Sequence, residues 1–249
     1  MIGLKAMASA KPDGYTIGQI PISVTRFSQL GSIAIDPLKD LTYIARTSGQ
    51  TFGIAVLSNN RWKSLADLVA EARSNPGKLT YAHSGVGGAT HVGMEEFAMA
   101  AGVKFNHIPF KGGADALQAV LGGHVDMLAD SSSWAPQVDA GKMRLLATWG
   151  EQRTKRYKDA PTLKDAGFNV VVDAPNGIGA PKGLDASIAL RLRQAFRVAV
   201  ASDEFKQSCE KIDAPVLYLD GPDYENYVAQ VYKKESVLIE RLNLKELLK

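Results

Sequence analysis

The stretch from Tyr81 to His91, YAHSGVGGATH, holds the residue types with the greatest chemical potential in the chain. Three glycines, two aliphatic hydroxyls and two histidines stand between a strand-like run and a helix-like run. Four kinds of site use such residues: a phosphate-binding loop, a Ser/His catalytic pair, a metal site, and a cradle for another anion. The spacing of the residues discriminates between them.

The phosphate-binding patterns are excluded by single residues. A Walker loop requires lysine and a hydroxyl residue after its last glycine, but Gly88 is followed by Ala89. The dinucleotide pattern G-x-G-x-x-G fails at its third glycine, where Thr90 stands. The hydrolase elbow G-x-S-x-G fails as well, because alanine and valine occupy its two glycine positions around Ser84.

Catalysis and metal binding have little support in the pattern. Ser84 and His91 are a nucleophile and a base by type, but no acid that would orient the histidine is apparent in the sequence. The four histidines, at positions 83, 91, 107 and 124, show no metal-ligand spacing. We therefore predict no metal and no cofactor, and keep a Ser84/His91 hydrolase-like enzyme as an alternative function.

An anion cradle at a helix start is the remaining interpretation. Glycines let a backbone approach a ligand closely, and a helix N-terminus offers unpaired N–H groups and the positive end of the helix dipole. Ser84 and Thr90 add hydroxyl donors. This combination suits a carboxylate, and a capped strand-to-helix turn without a ligand accounts for the spacing as well.

Three more loops follow strand-like runs in the same way. Lys111 precedes two glycines and a helix, Asp130–Ser133 follows the run VDMLA, and Ser23 and Thr25 follow YTIGQI. Ligands of parallel sheets bind beyond the carboxyl ends of the strands. These loops are therefore candidates for one polar cleft, with a surface lysine and simple helix caps as the alternatives.

The composition is that of a globular protein with 249 residues, 45% hydrophobic and 22% charged. The single cysteine, Cys209, excludes an internal disulfide or a cysteine zinc cage. The net charge is +3, and the densest basic run, EQRTKRYKD, contains interleaved acids. That run indicates a solvated face, so we expect no nucleic-acid partner.

Strand-like and helix-like runs alternate along most of the chain. In SLADLVAEARSNPG, Ser64 and Asp67 predict a capping box, and Asn75-Pro76-Gly77 ends the helix. Three further helices are predicted after Asp185, interrupted by the strand VLYL. Such alternation predicts an α/β fold with parallel-rich sheets flanked by helices.

Six stretches together resemble one protein family over essentially the whole chain. They are KPDGYTIGQ, IDPLKDLTYIA, NPGKLTYAHSGVGGATHVGMEEF, HIPFKGGADALQAVLGGHVDML, AGKMRLLATWGEQR and DAPTLKDAG. In this order they are similar to signatures of the periplasmic solute receptors of tripartite tricarboxylate transporters, also called Bug or TctC-like receptors. One such stretch alone is a weak match, whereas six in register are specific.

The resemblance implies a two-lobed periplasmic binding protein of type II, a Venus flytrap that holds a small carboxylate in an interlobe cleft. It implies residues 1–82 and 174–249 as lobe one, and residues 83–173 as lobe two. The implied partners are the membrane permease subunits of the transporter, and the implied location is the periplasm. The chain's own start, MIGLKAMASAKPDG, is too short and polar for a signal-peptide core.

The resemblance also implies which loops bind the ligand. The family binds carboxylates through backbone amides, hydroxyls and bridging waters more than through charged side chains. The residues at the matching positions are Ile22, Ser23, Val24, Thr25, Ser84, Gly85, Gly87, Gly88, Ala89, Thr90, His91, Phe110, Lys111, Asp130 and Ser131.

The chain departs from the family pattern at its start. Family members begin with a first strand, a glycine-rich loop and a first helix, whereas this chain opens near the end of that helix. We therefore expect lobe one to lack its first strand and most of its first helix, and an edge that is exposed, filled by another segment, or covered by self-association. A shortened remnant that no longer binds ligand is the second alternative function.

Overall fold

The computed structural model describes residues 2–172 and 174–247 and shows an α/β protein. The strands are β1 Gly18–Pro21, β2 Leu41–Ser48, β3 Gly53–Leu57, β4 Thr80–His83, β5 Asn106–Pro109, β6 Met127–Asp130, β7 Met143–Thr148, β8 Asn176–Pro181 and β9 Val216–Asp220. The helices are α1 Ile2–Ala8, α2 Val24–Gln29, α3 Leu65–Ser74, α4 Ala89–Ala101, α5 Gly113–Leu121, α6 Ala135–Asp139, α7 Ala186–Ala201, α8 Asp203–Lys211, α9 Gly221–Arg241 and α10 Leu244–Leu247. None of these described helices is both long and apolar enough to cross a membrane.

The chain divides into two compact units. Unit one contains Met1–Gln50 and Ala174–Lys249, and unit two contains Thr51–Asp173. The prediction that residues 51–82 belong to lobe one is therefore corrected. These residues carry β3, α3 and β4, and both strands pair with other strands of unit two: β3 with β6 and β7, and β4 with β5 and β6.

Unit two is built on a mixed five-stranded sheet with the order β5-β4-β6-β3-β7. β4 is parallel to both β5 and β6, whereas β3 is antiparallel to β6 and β7. α4 joins β4 to β5 and α5 joins β5 to β6, since strands that run parallel in one sheet need a crossover connection. Apolar side chains including Ala55, Leu128 and Trp134 form a buried cluster beneath these elements.

Unit one is built on a four-stranded sheet with the order β1-β8-β2-β9, in which every pairing is antiparallel. The prediction of parallel-rich sheets is wrong for this unit, because β8 returns from far along the chain and inserts between β1 and β2. β1 stands at one end of this order, so among the described residues its outer edge pairs with no strand. Coverage of that edge by self-association remains a prediction.

Local signals account for several element boundaries. The capping box at Ser64 and Asp67 is confirmed, since the Ser64 side chain accepts the Asp67 N–H and the Asp67 side chain accepts the Ser64 N–H. Gly102, in the left-handed conformation at φ 64°, ends α4. The three predicted helices after Asp185 are confirmed as α7, α8 and α9, with VLYL inside β9.

Candidate ligand-binding site

Three of the four predicted loops leave one edge of the unit-two sheet. Ala82 on β4 stands opposite Ile108 on β5 and Leu128 on β6, so the carboxyl ends of these parallel strands are level. The Ser84–Gly88 segment, the Phe110–Gly112 segment and the residues after Asp130 begin there. This edge is where α/β folds hold ligands.

Ser84 and Thr90 form a hydroxyl pair at this edge. Their oxygens, Oγ and Oγ1, lie 3.0 Å apart, and the Ser84 N–H donates to Thr90 Oγ1 at 3.4 Å. Ser84 is exposed, whereas Thr90 is buried. The serine hydroxyl is therefore accessible to a ligand, and the buried threonine hydroxyl contacts it from the protein side.

The three glycines of the loop use their N–H groups internally. The Gly88 N–H donates to the Gly85 carbonyl at 3.2 Å, and the Gly87 N–H donates to His91 Nδ1 at 3.2 Å. The Gly85 N–H lies 3.3 Å from His83 Nδ1. Gly85 and Gly87 have φ values of 125° and 74°, which L side chains rarely adopt. These glycines shape the loop rather than present their N–H groups outward.

The first turn of α4 offers further N–H donors. Gly88 is the N-cap of this 13-residue helix, and Ala89 and Thr90 are its first two residues. Their N–H groups have no acceptor within the helix, and the positive end of the helix dipole lies at the same place. Together with the Ser84 hydroxyl they are the candidate donors for an anion.

His83, His91 and His107 come together beside this loop, which the sequence spacing did not indicate. Their candidate metal-ligating nitrogens all lie within 4.8 Å of one another. The parallel register sets Tyr81 opposite His107 and so brings His107 beside His83, two residues along β4. His91 reaches them from the first turn of α4, so the cluster depends on pairing and helix packing.

The geometry of the three rings suits a hydrogen-bonded stack better than a shared metal ion. His83 and His91 are stacked, with ring centroids 4.8 Å apart and planes 19° apart, so their in-plane lone pairs run side by side. His91 Nδ1 accepts the Gly87 N–H, which leaves the neutral ring's proton on Nε2. A metal-bound histidine instead donates from its second nitrogen. We assign no metal to this cluster.

We expect His83 to make the protein sensitive to acid. Two causes lower the pKa of His83 to about 4: burial, which is the larger, and the neighbouring His107. An unfolded histidine has a pKa of about 6.5, so the folded state binds fewer protons. The stability contributed by the neutral ring is complete above pH 6.5 and is lost as pH falls from 6.5 through 4, by roughly 3 kcal/mol.

Urea unfolding at pH 7.5 and 4.5 checks this expectation. His83→Asn should remove most of the extra loss at pH 4.5, whereas the matched change at the exposed His124, His124→Asn, should leave the loss as in the wild type. An equal loss of stability in the wild type and His83→Asn would contradict the assignment.

Asp130 lies at the same edge, but its side chain makes its contacts within the protein. It is buried, and its carboxylate accepts the Ser133 hydroxyl at 2.5 Å. A Cβ built on Gly113 would lie 2.1 Å from Asp130 Oδ2, so this carboxylate sits against the start of α5. Burial raises the pKa of Asp130. The structure therefore gives Asp130 an anchoring position, with its carboxyl group packed against the start of α5 and bonded to Ser133.

The remaining predicted residues of unit two differ in accessibility. Phe110 is half-buried against the unit-two core, and its N–H donates to the His83 carbonyl at 2.9 Å. Lys111 is exposed. Ser131 is half-buried and is the N-cap of the 3-10 turn Ser132–Trp134. Of these three, Phe110 is the one that the packing fixes beside the loop.

The fourth predicted loop, Ile22–Thr25, belongs to unit one. Ile22, Val24 and Thr25 are buried, and the Thr25 hydroxyl donates to the Ile22 carbonyl at 2.7 Å. Ser23 is half-buried. The side chains of this loop therefore serve mainly the core of unit one, with Ser23 as the member that can offer a hydroxyl.

The Ser84/His91 pair does not have the geometry of a nucleophile and its base. The Ser84 hydroxyl pairs with Thr90, and His91 Nδ1 is occupied by a backbone N–H. The rings beside His91 are the imidazoles of His83 and His107.

Comparison with known proteins then decides the family. The model of the tripartite tricarboxylate transporter family receptor matches residues 1–244. The chain belongs to this family. It is a family of periplasmic solute receptors rather than of enzymes, and its two-lobed periplasmic-binding fold is the one predicted from the sequence.

Individual relatives agree with this assignment. The UPF0065 protein in the gbd 5′ region of Cupriavidus necator is 43% identical over 238 residues, which are 96% of this chain and 73% of that protein. Across the curated relatives compared, the chain spans 56% to 76% of their lengths.

Solved structures of the same fold include two from Rhodopseudomonas palustris. Rpa4515 with adipate has a TM-score of 0.87 and 24% identity, covering 96% of this chain and 81% of that one. MatC with bound malate has a TM-score of 0.77 and 24% identity, covering 100% of this chain and 84% of that one.

Proposed function

We propose that this protein is a non-catalytic receptor of the periplasm that binds a small carboxylate and delivers it to the permease subunits of a tripartite tricarboxylate transporter. The observation that carries the proposal is the start of α4. There, the N–H groups of Ala89 and Thr90 and the hydroxyl of Ser84 lie close together at the carboxyl edge of three parallel strands.

The chemistry of this donor set favours a carboxylate over a more highly charged anion. The loop Ser84–His91 contains no lysine or arginine, so hydrogen bonds and the helix dipole must compensate the charge of the ligand. One helix start with one hydroxyl matches one carboxylate group, and the second carboxylate of a dicarboxylate would be held by donors outside this loop. The second helix start at this edge, that of α5, already faces the internal carboxylate of Asp130.

The size of the ligand is a separate part of the proposal. Adipate and malate, held by two structural neighbours, are both aliphatic dicarboxylates, and we propose the same class here. Trp134, the aromatic residue that follows Asp130–Ser133, is fully buried in the unit-two core and presents no ring surface to an aromatic acid. Participation of Ile22–Thr25 from unit one, delivery to a permease and periplasmic location follow from the family and remain predictions.

A thermal-shift screen tests the ligand class. Adipate, malate, citrate and benzoate should be added separately, and a dicarboxylate at about 100 times its Kd should stabilise the folded state by about 2.7 kcal/mol. Adipamide, which has the length of adipate and no charge, is the matched negative control. If none of the acids raises the melting temperature, the receptor proposal fails for this chain. That result would support the alternative function, a shortened remnant that no longer binds ligand.

Removing the hydroxyls at the loop should weaken binding of the acid that the screen identifies. Ser84→Ala and Thr90→Val are each expected to cost about 1–3 kcal/mol, or roughly 5- to 150-fold in Kd. Ser74→Ala is the matched control, because that exposed hydroxyl donates to the Ala70 carbonyl of its own helix. Isothermal titration giving equal affinities for all four proteins would show that the acid binds elsewhere.

A further inference from the structure

The ligand loop rests on buried imidazoles. Gly87 donates its N–H to His91 Nδ1 at 3.2 Å, and His83 Nδ1 faces the backbone of Gly85, 3.3 Å from its nitrogen and 3.1 Å from its oxygen. Both glycines have positive φ, so the loop bends sharply at these two contacts. His83 and His91 are essentially inaccessible to solvent. The rings therefore touch the underside of the loop and not a ligand above it.

His91 occupies a position in the first turn of α4 from which a side chain can cap the helix. With Gly88 as N-cap, His91 is the third residue of α4, the position from which a capping-box side chain reaches back to a backbone N–H. Here the ring accepts the N–H of Gly87, the residue just before the N-cap. This contact ties the loop to the first turn of the helix that supplies the proposed donors.

We propose that His91 is a positioning residue of the carboxylate loop, and that His83 and His107 hold its ring in place. Its Nδ1 fixes Gly87 so that the first N–H groups of α4 remain directed away from the loop. The link to ligand affinity rests on the proposed function, whereas the action on the loop does not. The sequence placed His91 among ligand contacts, and its burial gives it this supporting role instead.

The other two rings restrict the orientation of His91. Its centroid is 4.8 Å from that of His83 and 4.7 Å from that of His107. His83 Nε2 and His107 Nδ1 lie 3.2 Å apart, a hydrogen bond that joins β4 to β5. Because a ring packed on two neighbours cannot rotate freely, the acceptor nitrogen of His91 stays aimed at Gly87.

The state of the ring in the wild-type protein is the first test. Nitrogen-15 NMR of the histidines at pH 7.5 should show His91 Nδ1 as an unprotonated acceptor and Nε2 as the protonated nitrogen. A protonated Nδ1 would overturn the proposal whatever any variant does. A rise in melting temperature with Zn²⁺ that His91→Asn abolishes would overturn it as well, since the cluster would then be a metal site.

The second test compares two replacements of His91. His91→Asn keeps an acceptor on Cγ, close to the position of Nδ1, whereas His91→Leu removes it. Amide exchange of Gly87 should be about tenfold faster in His91→Leu and within about threefold of the wild type in His91→Asn. Similar exchange in His91→Leu and the wild type would overturn the proposal.

Titration with adipate, or with the acid that the thermal-shift screen identifies, separates the two proposals. The affinity should fall about tenfold in His91→Leu and be largely restored in His91→Asn. If the wild type binds an acid and His91→Leu binds it equally well, the positioning role fails and the receptor function stands. If the wild type binds no acid but Gly87 exchange behaves as expected, the receptor function fails and the action of His91 on the loop stands.

Discussion

Gly113→Ala is expected to lower the free energy of unfolding by about 4 kcal/mol. Its new Cβ would lie 2.1 Å from Oδ2 and 2.9 Å from Cγ of Asp130, so the carboxylate or α5 must move. Overpacking of this kind costs about 1–3 kcal/mol. Moving a buried acid away from Ser133 adds about 1–3 kcal/mol for its lost hydrogen bond.

Gly112→Ala is the matched control, since the preceding glycine has open space. Apart from its two chain neighbours, no atom of the described residues lies within 4 Å of the Cβ position, and the backbone is extended at φ −175°. Gly112 is the N-cap of α5, where alanine is less favourable than glycine, so a loss of at most about 1 kcal/mol is expected. Urea unfolding followed by circular dichroism measures both variants. Equal stabilities would mean that Asp130 is not packed against the start of α5.

The sequence predicted those parts of the fold that depend on local signals. The capping box at Ser64 and Asp67 marks the start of α3, and its two members lie within four consecutive residues, so the pattern can be recognised without any long-range contact. The assignment of residues 51–82 to lobe one failed because it depends on strand pairing. β3 pairs with β6 and β7, whose residues lie more than 70 positions further along the chain.

The candidate site was also predictable where it depends on local signals and not where it depends on long-range packing. The rule that ligands bind at the carboxyl ends of parallel strands located three loops of unit two, because each loop directly follows its strand. The roles within those loops were not predictable. Whether Gly87 presents its N–H to a ligand or to His91, and whether Asp130 faces a cleft or α5, depends on packing that no spacing pattern records.

The ion pair between Arg26 and Glu235 had no signal in the sequence at all. The partners are 209 residues apart, and each is an ordinary charged residue on a helix. In the folded chain both side chains are about nine-tenths buried, and two hydrogen bonds of 2.7 and 2.5 Å join them. The pair connects α2, which begins inside the predicted ligand loop Ile22–Thr25, to the long helix α9.

Glu235→Gln is therefore expected to destabilise the protein by about 3–5 kcal/mol, because it removes the carboxylate that neutralises the buried Arg26 side chain. Glu151→Gln is the matched control: the same chemical change breaks the exposed ion pair with Lys164 and should cost less than about 1 kcal/mol. Replacing both buried partners, as Arg26→Met with Glu235→Leu, should recover much of the loss, since both buried charges are then replaced by apolar side chains. Urea unfolding of the four proteins measures these differences. A Glu235→Gln protein as stable as Glu151→Gln would show that Arg26 reaches solvent, and that α2 is not held to α9 by this pair.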